Sequence, residues 1–69
     1  MISSKEAIHA AAAEIGRTTV LSYSTAKANI EGLLALGREE LGGITLEQAA
    51  LMTKLGVSRG MLQDLFRHE

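Results

Sequence analysis

The sequence predicts a small all-α domain of four to five helices, and three observations support this class. Alanine and leucine, which are strong helix formers, each occur ten times among the 69 residues. Apolar residues make up 46% of the chain, which is enough for a globular fold. They also recur at helical spacing through most of its length. We therefore expect one helical domain over residues 1–69.

Charge, cysteine content and the absence of targeting patterns exclude several classes of protein. Seven Lys and Arg against eight Asp and Glu give a net charge of -1, and the chain has no cysteine. Polybasic tails, disulfide frameworks and thiolate metal sites are thereby excluded. The pattern predicts no membrane span, no secretion signal, no metal and no cofactor, and hence a cytoplasmic protein. Without a nucleophile, base and oxyanion constellation, it also predicts no enzyme.

The first helix is predicted over residues 4–15. Ser3 and Glu6 fit a capping box. One helical face carries apolar residues at i, i+3, i+4 and i+7: Ile8, Ala11, Ala12 and Ile15. Gly16 is placed to end the helix in a left-handed turn. Residues 17–24 are rich in β-branched and hydroxyl side chains, so a strand, a loop and an early helix start remain open there.

A second helix follows, with Ser22 or Ser24 as its cap. Its apolar positions form a wide stripe: Ala26, Ile30, Leu33, Leu34 and Leu41. Gly32 and Gly37 interrupt this stripe, and each destabilises the helix by about 1 kcal/mol relative to alanine. We therefore expect the helix to break near Gly37. The glycine pair at 42–43 then separates a helical support region, 1–43, from the last third of the chain.

Two short helices are predicted in that last third. Thr45 and Gln48 form a second capping box, so a helix begins at Leu46, and Gly56 ends it. Ser58 caps the last helix. The expected buried face of this helix consists of Met61, Leu62, Leu65 and Phe66.

Residues 45–67 resemble the helix-turn-helix family of DNA-binding proteins. The residues that carry the resemblance are Gln48, Leu51, Met52, Leu55, Gly56, Val57, Ser58, Leu62 and Leu65. The run at 56–66 is similar to the recognition helix of tetracycline-repressor-like regulators, and the segment is also similar to KorA-type repressors. The resemblance implies a left-handed Gly56, with Val57 between the helices. It also implies a motif core made of Leu51, Met52, Leu62 and Leu65, in which Met52 stands where the family usually has a small residue.

The resemblance further implies that the last helix lies in the major groove of DNA. Arg59 is then placed to read guanine and Gln63 to read adenine, while Gly60 permits close approach. The candidate phosphate contacts lie at helix starts or carry positive charge: Thr45, Gln48, Ser58, Arg67 and Lys54.

The predicted function is sequence-specific binding of double-stranded DNA as a small dimeric transcriptional regulator, more specifically a repressor, on a palindromic operator. The dimer is expected to use an alanine-rich face of the first helix: Ala7, Ala10, Ala11, Ala12 and Ala13. The alternative is a helical protein-interaction module, such as an adaptor, antitoxin or inhibitor. A positive stripe over Arg59, Gln63 and Arg67 favours DNA, whereas an exposed apolar patch there favours a protein partner.

Overall fold

The computed structural model describes residues 4–67, which fold into four α-helices. α1 spans Ser4–Thr18, α2 spans Tyr23–Leu36, α3 spans Leu46–Lys54 and α4 spans Arg59–Arg67, with a π-helical turn at Gly37–Leu41. Residues 4–67 contain no strand, so the predicted all-α class is confirmed. The capping role predicted for Ser3 lies outside the described residues. None of the described helices is long and apolar enough to cross a membrane.

α1 continues past Gly16 to Thr18, so the helix end predicted at this glycine is wrong. A Cβ added at Gly16 would lie 3.3 Å from the backbone nitrogen of Tyr23. That spacing is tighter than ordinary van der Waals contact. The glycine therefore lets the start of α2 approach the end of α1. Close packing of the two helices, rather than a left-handed turn, accounts for glycine at this position.

The connection between α1 and α2 is a bend rather than a strand. The Thr19 hydroxyl donates to the carbonyl oxygen of Ile15 at 2.8 Å and accepts from the backbone N–H of Leu21 at 3.1 Å. Ser22 then caps α2, because its hydroxyl oxygen accepts from the backbone N–H of Thr25 at 3.1 Å. The hydroxyl residues of this segment thus satisfy backbone groups locally, which removes the need for a sheet partner.

α2 is the central helix and contacts α1, α3, α4 and the π-helical turn. The core consists of fully buried side chains from α1, α2 and α3: Ala12, Ile15, Ala26, Ile30, Leu33 and Ala49. The alanine face of α1 that was expected to form a dimer largely faces this core. Ala12 is fully buried and Ala11 packs against the cluster, while Ala10 is exposed. Most of that face is therefore covered by the chain's own helices.

α2 changes into the π-helical turn at Gly37, near the predicted break. Gly37 is buried, and a Cβ placed on it would lie 2.6 Å from Cγ1 and 2.8 Å from the backbone nitrogen of Ile44. The chain then reverses at Gly42 and Gly43, whose φ angles of 76° and 121° favour glycine. This reversal brings Ile44 against the end of α2.

α3 begins at the predicted capping box. The Thr45 hydroxyl accepts from the backbone N–H of Gln48 at 3.1 Å, and the Gln48 side-chain oxygen accepts from the backbone N–H of Thr45 at 2.9 Å. These two bonds satisfy backbone donors that a helix start leaves without partners.

The turn between α3 and α4 also forms as predicted. Gly56 has a φ of 84°, and its N–H donates to the Thr53 carbonyl at 3.1 Å. The Val57 N–H donates to the Met52 carbonyl at 2.9 Å. This pair of bonds is a Schellman motif, which ends α3. The Ser58 hydroxyl oxygen then accepts from the backbone N–H of Met61 at 3.3 Å in the first turn of α4.

The packing of α4 differs from the prediction. Within residues 4–67, the backbone of α4 approaches that of α2 closely, but not that of α3. Leu51 and Leu65 are 57% and 69% exposed, so their predicted place in a motif core is wrong. Met52 and Leu62 do pack against the core. Contacts from α2 to Val57 and Arg59 hold the start of α4 instead.

Candidate functional site

An open groove of about 630 Å³ lies between the start of α2 and the α3–α4 turn. Its lining comes from the bend before α2, the first half of α2, the end of α3, the α3–α4 turn and the start of α4: Leu21, Ser24, Thr25, Ala28, Asn29, Thr53, Gly56, Val57, Ser58, Arg59 and Gly60. Arg59 is the charged residue in this lining, and no acidic side chain contributes to it. The first turns of two helices therefore meet in a groove of weakly positive character.

Asn29 holds this groove together. Its side-chain nitrogen donates to the Thr53 hydroxyl oxygen and to the Val57 carbonyl oxygen, both at 2.9 Å. The Thr53 side chain is almost fully buried, and its hydroxyl donates in turn to the Ala49 carbonyl at 2.8 Å. We name Asn29, Thr53 and Val57 the asparagine clip. It fixes the α3–α4 turn to α2.

Asn29 was not predicted from the sequence. The signal available was a polar, poorly helix-forming residue directly before Ile30, inside the apolar stripe of α2. Such a residue needs a hydrogen-bond partner when a helix packs there. Its partners lie 24 and 28 positions further along the chain, so spacing within α2 could not identify them.

Arg59 lies against α2 rather than pointing outward. Its Cβ and Cδ would each be 3.5 Å from a Cβ added at Gly32, so the aliphatic part of the side chain rests on the helix backbone. Its guanidinium is 3.3 Å from the Glu39 carboxylate in the π-helical turn. The residue predicted to read guanine is thus engaged within its own chain, through an ion pair of the partly exposed kind that contributes little to stability.

The other two predicted base-reading residues are separated. Gln63 is half-buried and lines a small cleft of about 80 Å³ beside Leu36, Glu40, Phe66 and Arg67. Gly60 is exposed at the edge of the larger groove. Of the predicted DNA-contacting residues, the groove brings together Ser58, Arg59 and Gly60.

The remaining predicted phosphate contacts do not converge. Thr45 and Gln48 bind each other at the start of α3, and Lys54 lies at its other end, about 13 Å away along the axis. The Lys54 ammonium donates to the Glu14 carboxylate at 3.0 Å, which ties α3 to α1. Arg67 is exposed at the end of α4. These residues occupy separate parts of the surface.

The Lys54 contact has an electrostatic consequence for Glu14. The hydrogen bond from Lys54, together with its positive charge, lowers the pKa of the Glu14 carboxyl. A carboxyl whose pKa is lowered by folding stabilises the fold above its unfolded pKa. That contribution is lost as the pH falls through the folded pKa.

Large apolar side chains are exposed on the last two helices. In α3 and its cap, Leu51 and Leu55 are 57% and 72% exposed. In α4, Met61 is 55% and Leu65 is 69% exposed, and α4 has no buried residue at all. Met61 and Leu65 stand at i, i+4 spacing and therefore share one side of α4. We name this side, with Asp64 beside it, the outward face of α4.

No protein-family model, curated protein or solved structure matches this chain. Within residues 4–67, no group of three or more His, Asp or Glu side chains is arranged to hold a metal ion.

Proposed function

We propose that this chain is a helical protein-interaction module that binds its partner through the outward face of α4. The observation that carries the proposal is a nine-residue amphipathic helix with no buried residue, whose Met61 and Leu65 face solvent. Isolated helices shorter than about 12 residues are marginal in water and owe their stability to packing of an apolar face. α2 supplies part of that packing, and a partner supplies the rest.

The charges around the outward face also favour a protein partner. Asp64 is the charged side chain between Met61 and Leu65, and it repels phosphate. Arg59, the expected source of positive charge on α4, lies against α2 and is directed to Glu39. An exposed apolar surface beside one carboxylate suits an apolar protein surface, because aliphatic side chains gain free energy when they leave water.

The dye 1-anilinonaphthalene-8-sulfonate, whose fluorescence rises on exposed apolar surface, tests the proposal. We expect dilute wild-type chain to bind the dye and Leu65→Gln to lower the fluorescence several-fold, because the substitution removes the largest apolar group of the face. Val20→Ser is the matched control, since Val20 is fully exposed outside α4 and its loss should change nothing. Equal fluorescence from wild type and a folded Leu65→Gln variant would contradict the proposal.

A second candidate function is binding of double-stranded DNA, as the resemblance implied. The specific observation in its favour is the groove, where the first turns of α2 and α4 meet beside Arg59 and no acidic residue. Free N–H groups and the positive end of the helix dipole make helix starts suitable for phosphate. In this alternative, the chain contacts the phosphate backbone of a palindromic operator with Ser58 and Arg59 and regulates transcription as a dimer.

Selection from randomised duplex DNA at about 0.15 M salt tests this candidate. DNA binding predicts an enriched palindrome, together with weaker binding and a shallower salt dependence for Arg59→Ala. Arg38→Ala is the matched control, because Arg38 is an exposed arginine in the π-helical turn and lies outside the groove. Recovery of unselected sequences by a folded protein would eliminate sequence-specific DNA binding.

A further inference from the structure

We infer that the chain binds a small aliphatic carboxylate in a cleft on the side of the molecule formed by α1, α2 and α3. The cleft has a volume of about 390 Å³ and lies where the start of α1, the end of α2 with the π-helical turn, and the start of α3 meet. We name it the α1–α3 cleft. Six residues line it: Ser4, Ala7, Ile8, Leu34, Arg38 and Leu46. None of them belongs to α4, so this site goes beyond the proposed function.

The size and the walls of the α1–α3 cleft fit a small apolar molecule. Ile8, Leu34 and Leu46 are half-buried and pack against the core. Ser4 and Ala7 stand at i and i+3 on α1, so their short side chains share one side of the helix and leave the space beside them open. Pockets for small ligands begin at about 300 Å³ and combine apolar walls with a few polar groups. The α1–α3 cleft meets both conditions.

The charge of the cleft favours an anion. Arg38 is the charged residue of the lining, and it is exposed, which places it at the mouth of the cleft. Among residues 4–67, its guanidinium has no ion-pair partner. A guanidinium carries five N–H donors in a planar arrangement that matches the two oxygens of a carboxylate. Arg38 is therefore available to a ligand, whereas Arg59 is already paired.

The acidic residues near Arg38 do not neutralise it. The Glu39 carboxylate is 3.3 Å from the guanidinium at the start of α4. Glu40 lines the small cleft beside the end of α4. Both carboxylates of the π-helical turn are thus directed to α4, while Arg38 is directed to α1 and α3. Glu6 of α1 and Glu47 of α3 are exposed and lie outside the lining.

The apolar walls and the single arginine together define the class of ligand. An alkyl chain gains free energy when it leaves water to lie against Ile8, Leu34 and Leu46. A carboxylate at one end of that chain then meets Arg38 at the mouth and forms a charge-assisted hydrogen bond. Because the volume of the cleft is near the lower limit for ligand pockets, the chain is short. Octanoate is a suitable probe.

Titration of the full chain with octanoate, followed by amide NMR, tests the inference. We expect saturable binding, with the largest shift changes at lining residues such as Ala7 and Leu46. Octylammonium has the same alkyl chain and the opposite charge, and should bind about tenfold or more weakly, because Arg38 repels it. A folded chain that octanoate does not saturate, or that binds both probes equally, would overturn the inference.

A substitution that fills the cleft tests the position of the site. Ala7→Leu should weaken octanoate binding about tenfold or more while keeping the helix, because leucine is a strong helix former. Ala10→Leu is the matched control, since Ala10 is exposed on α1 and lies outside the lining, and it should bind octanoate as wild type does. Circular dichroism establishes that both variants are folded. Binding that Ala7→Leu leaves unchanged would show that octanoate occupies another place.

A second pair of variants tests the role of the charge. Arg38→Gln should weaken octanoate binding about tenfold, because a hydrogen bond between charged groups is lost. Arg17→Gln removes an exposed arginine at the other end of α1 and should leave binding unchanged. An equal loss in both variants would contradict direct pairing with Arg38. Leu65→Gln should also bind octanoate as wild type does, so this inference and the proposed function can fail separately.

Discussion

Gly37→Ala is expected to destabilise this fold by about 2 to 3 kcal/mol, because the added methyl group has no room. The new Cβ would lie 2.8 Å from the backbone nitrogen of Ile44, and a backbone atom cannot move aside as a flexible side chain does. The residue already has helical φ and ψ angles of -57° and -45°, so alanine suits the conformation and the loss is steric. Thermal unfolding should show a fall of about 10 to 20 °C in Tm.

Gly32→Ala is the matched control on the same helix. Its Cβ would meet the Arg59 side chain at 3.5 Å, which is ordinary contact. Replacing a glycine inside a helix by alanine gains about 0.5 to 1 kcal/mol, so we expect a Tm a few degrees above that of wild type. If Gly37→Ala raised the Tm as Gly32→Ala does, the close approach of the π-helical turn to Ile44 would be refuted.

Asn29→Ala is expected to cost about 2 to 3 kcal/mol in the free energy of unfolding, because two hydrogen bonds are lost and their acceptors stay in the protein. One acceptor belongs to Thr53, which is 1% exposed, and the other is the Val57 carbonyl oxygen. The loss should also release α4 locally. Hydrogen exchange of the Leu62 amide, which donates to the Ser58 carbonyl, should then accelerate more than that of amides in α1.

Two comparisons make this prediction specific to the asparagine clip. Ser24→Ala changes an exposed polar residue on the same helix and should alter stability by less than about 0.5 kcal/mol. Asn29→Ala and Thr53→Val should be non-additive, because both remove the same hydrogen bond. Additive effects, or equal exchange rates in α1 and α4, would show that the clip does not fix the turn.

The local elements of this protein could be read from short stretches of sequence. The capping box of Thr45 and Gln48, the left-handed turn at Gly56 and the cap at Ser58 each depend on residues within about five positions of one another. Their hydrogen bonds join neighbouring residues and need no partner from a distant part of the chain. For this reason the bounds of α3, the α3–α4 turn and the start of α4 agree with the prediction.

The surroundings of α4 depended on contacts between distant parts of the chain. Asn29 and Val57 are 28 positions apart, and Arg59 and Glu39 are 20 positions apart. The residues of the last third predict an amphipathic helix equally well whether it packs on α3 or on α2. α4 packs on α2 because of the asparagine clip and because Gly32 leaves room for the Arg59 side chain. Neither contact can be read from the periodicity of apolar residues.

Contacts between distant parts of the chain also explain why the candidate site differs from the prediction. The pattern placed Arg59 on an open face and Leu65 in a core, because helical spacing gives the relative sides of a helix but not which side meets a neighbour. Packing on α2 reversed this, directing Arg59 to Glu39 and leaving Leu65 in solvent. Local hydrogen bonding determined where α2, α3 and α4 begin and where α3 ends, whereas α1 continues past Gly16 because of packing against α2. The competition among helix faces for one small core determined which face of α4 is exposed to solvent.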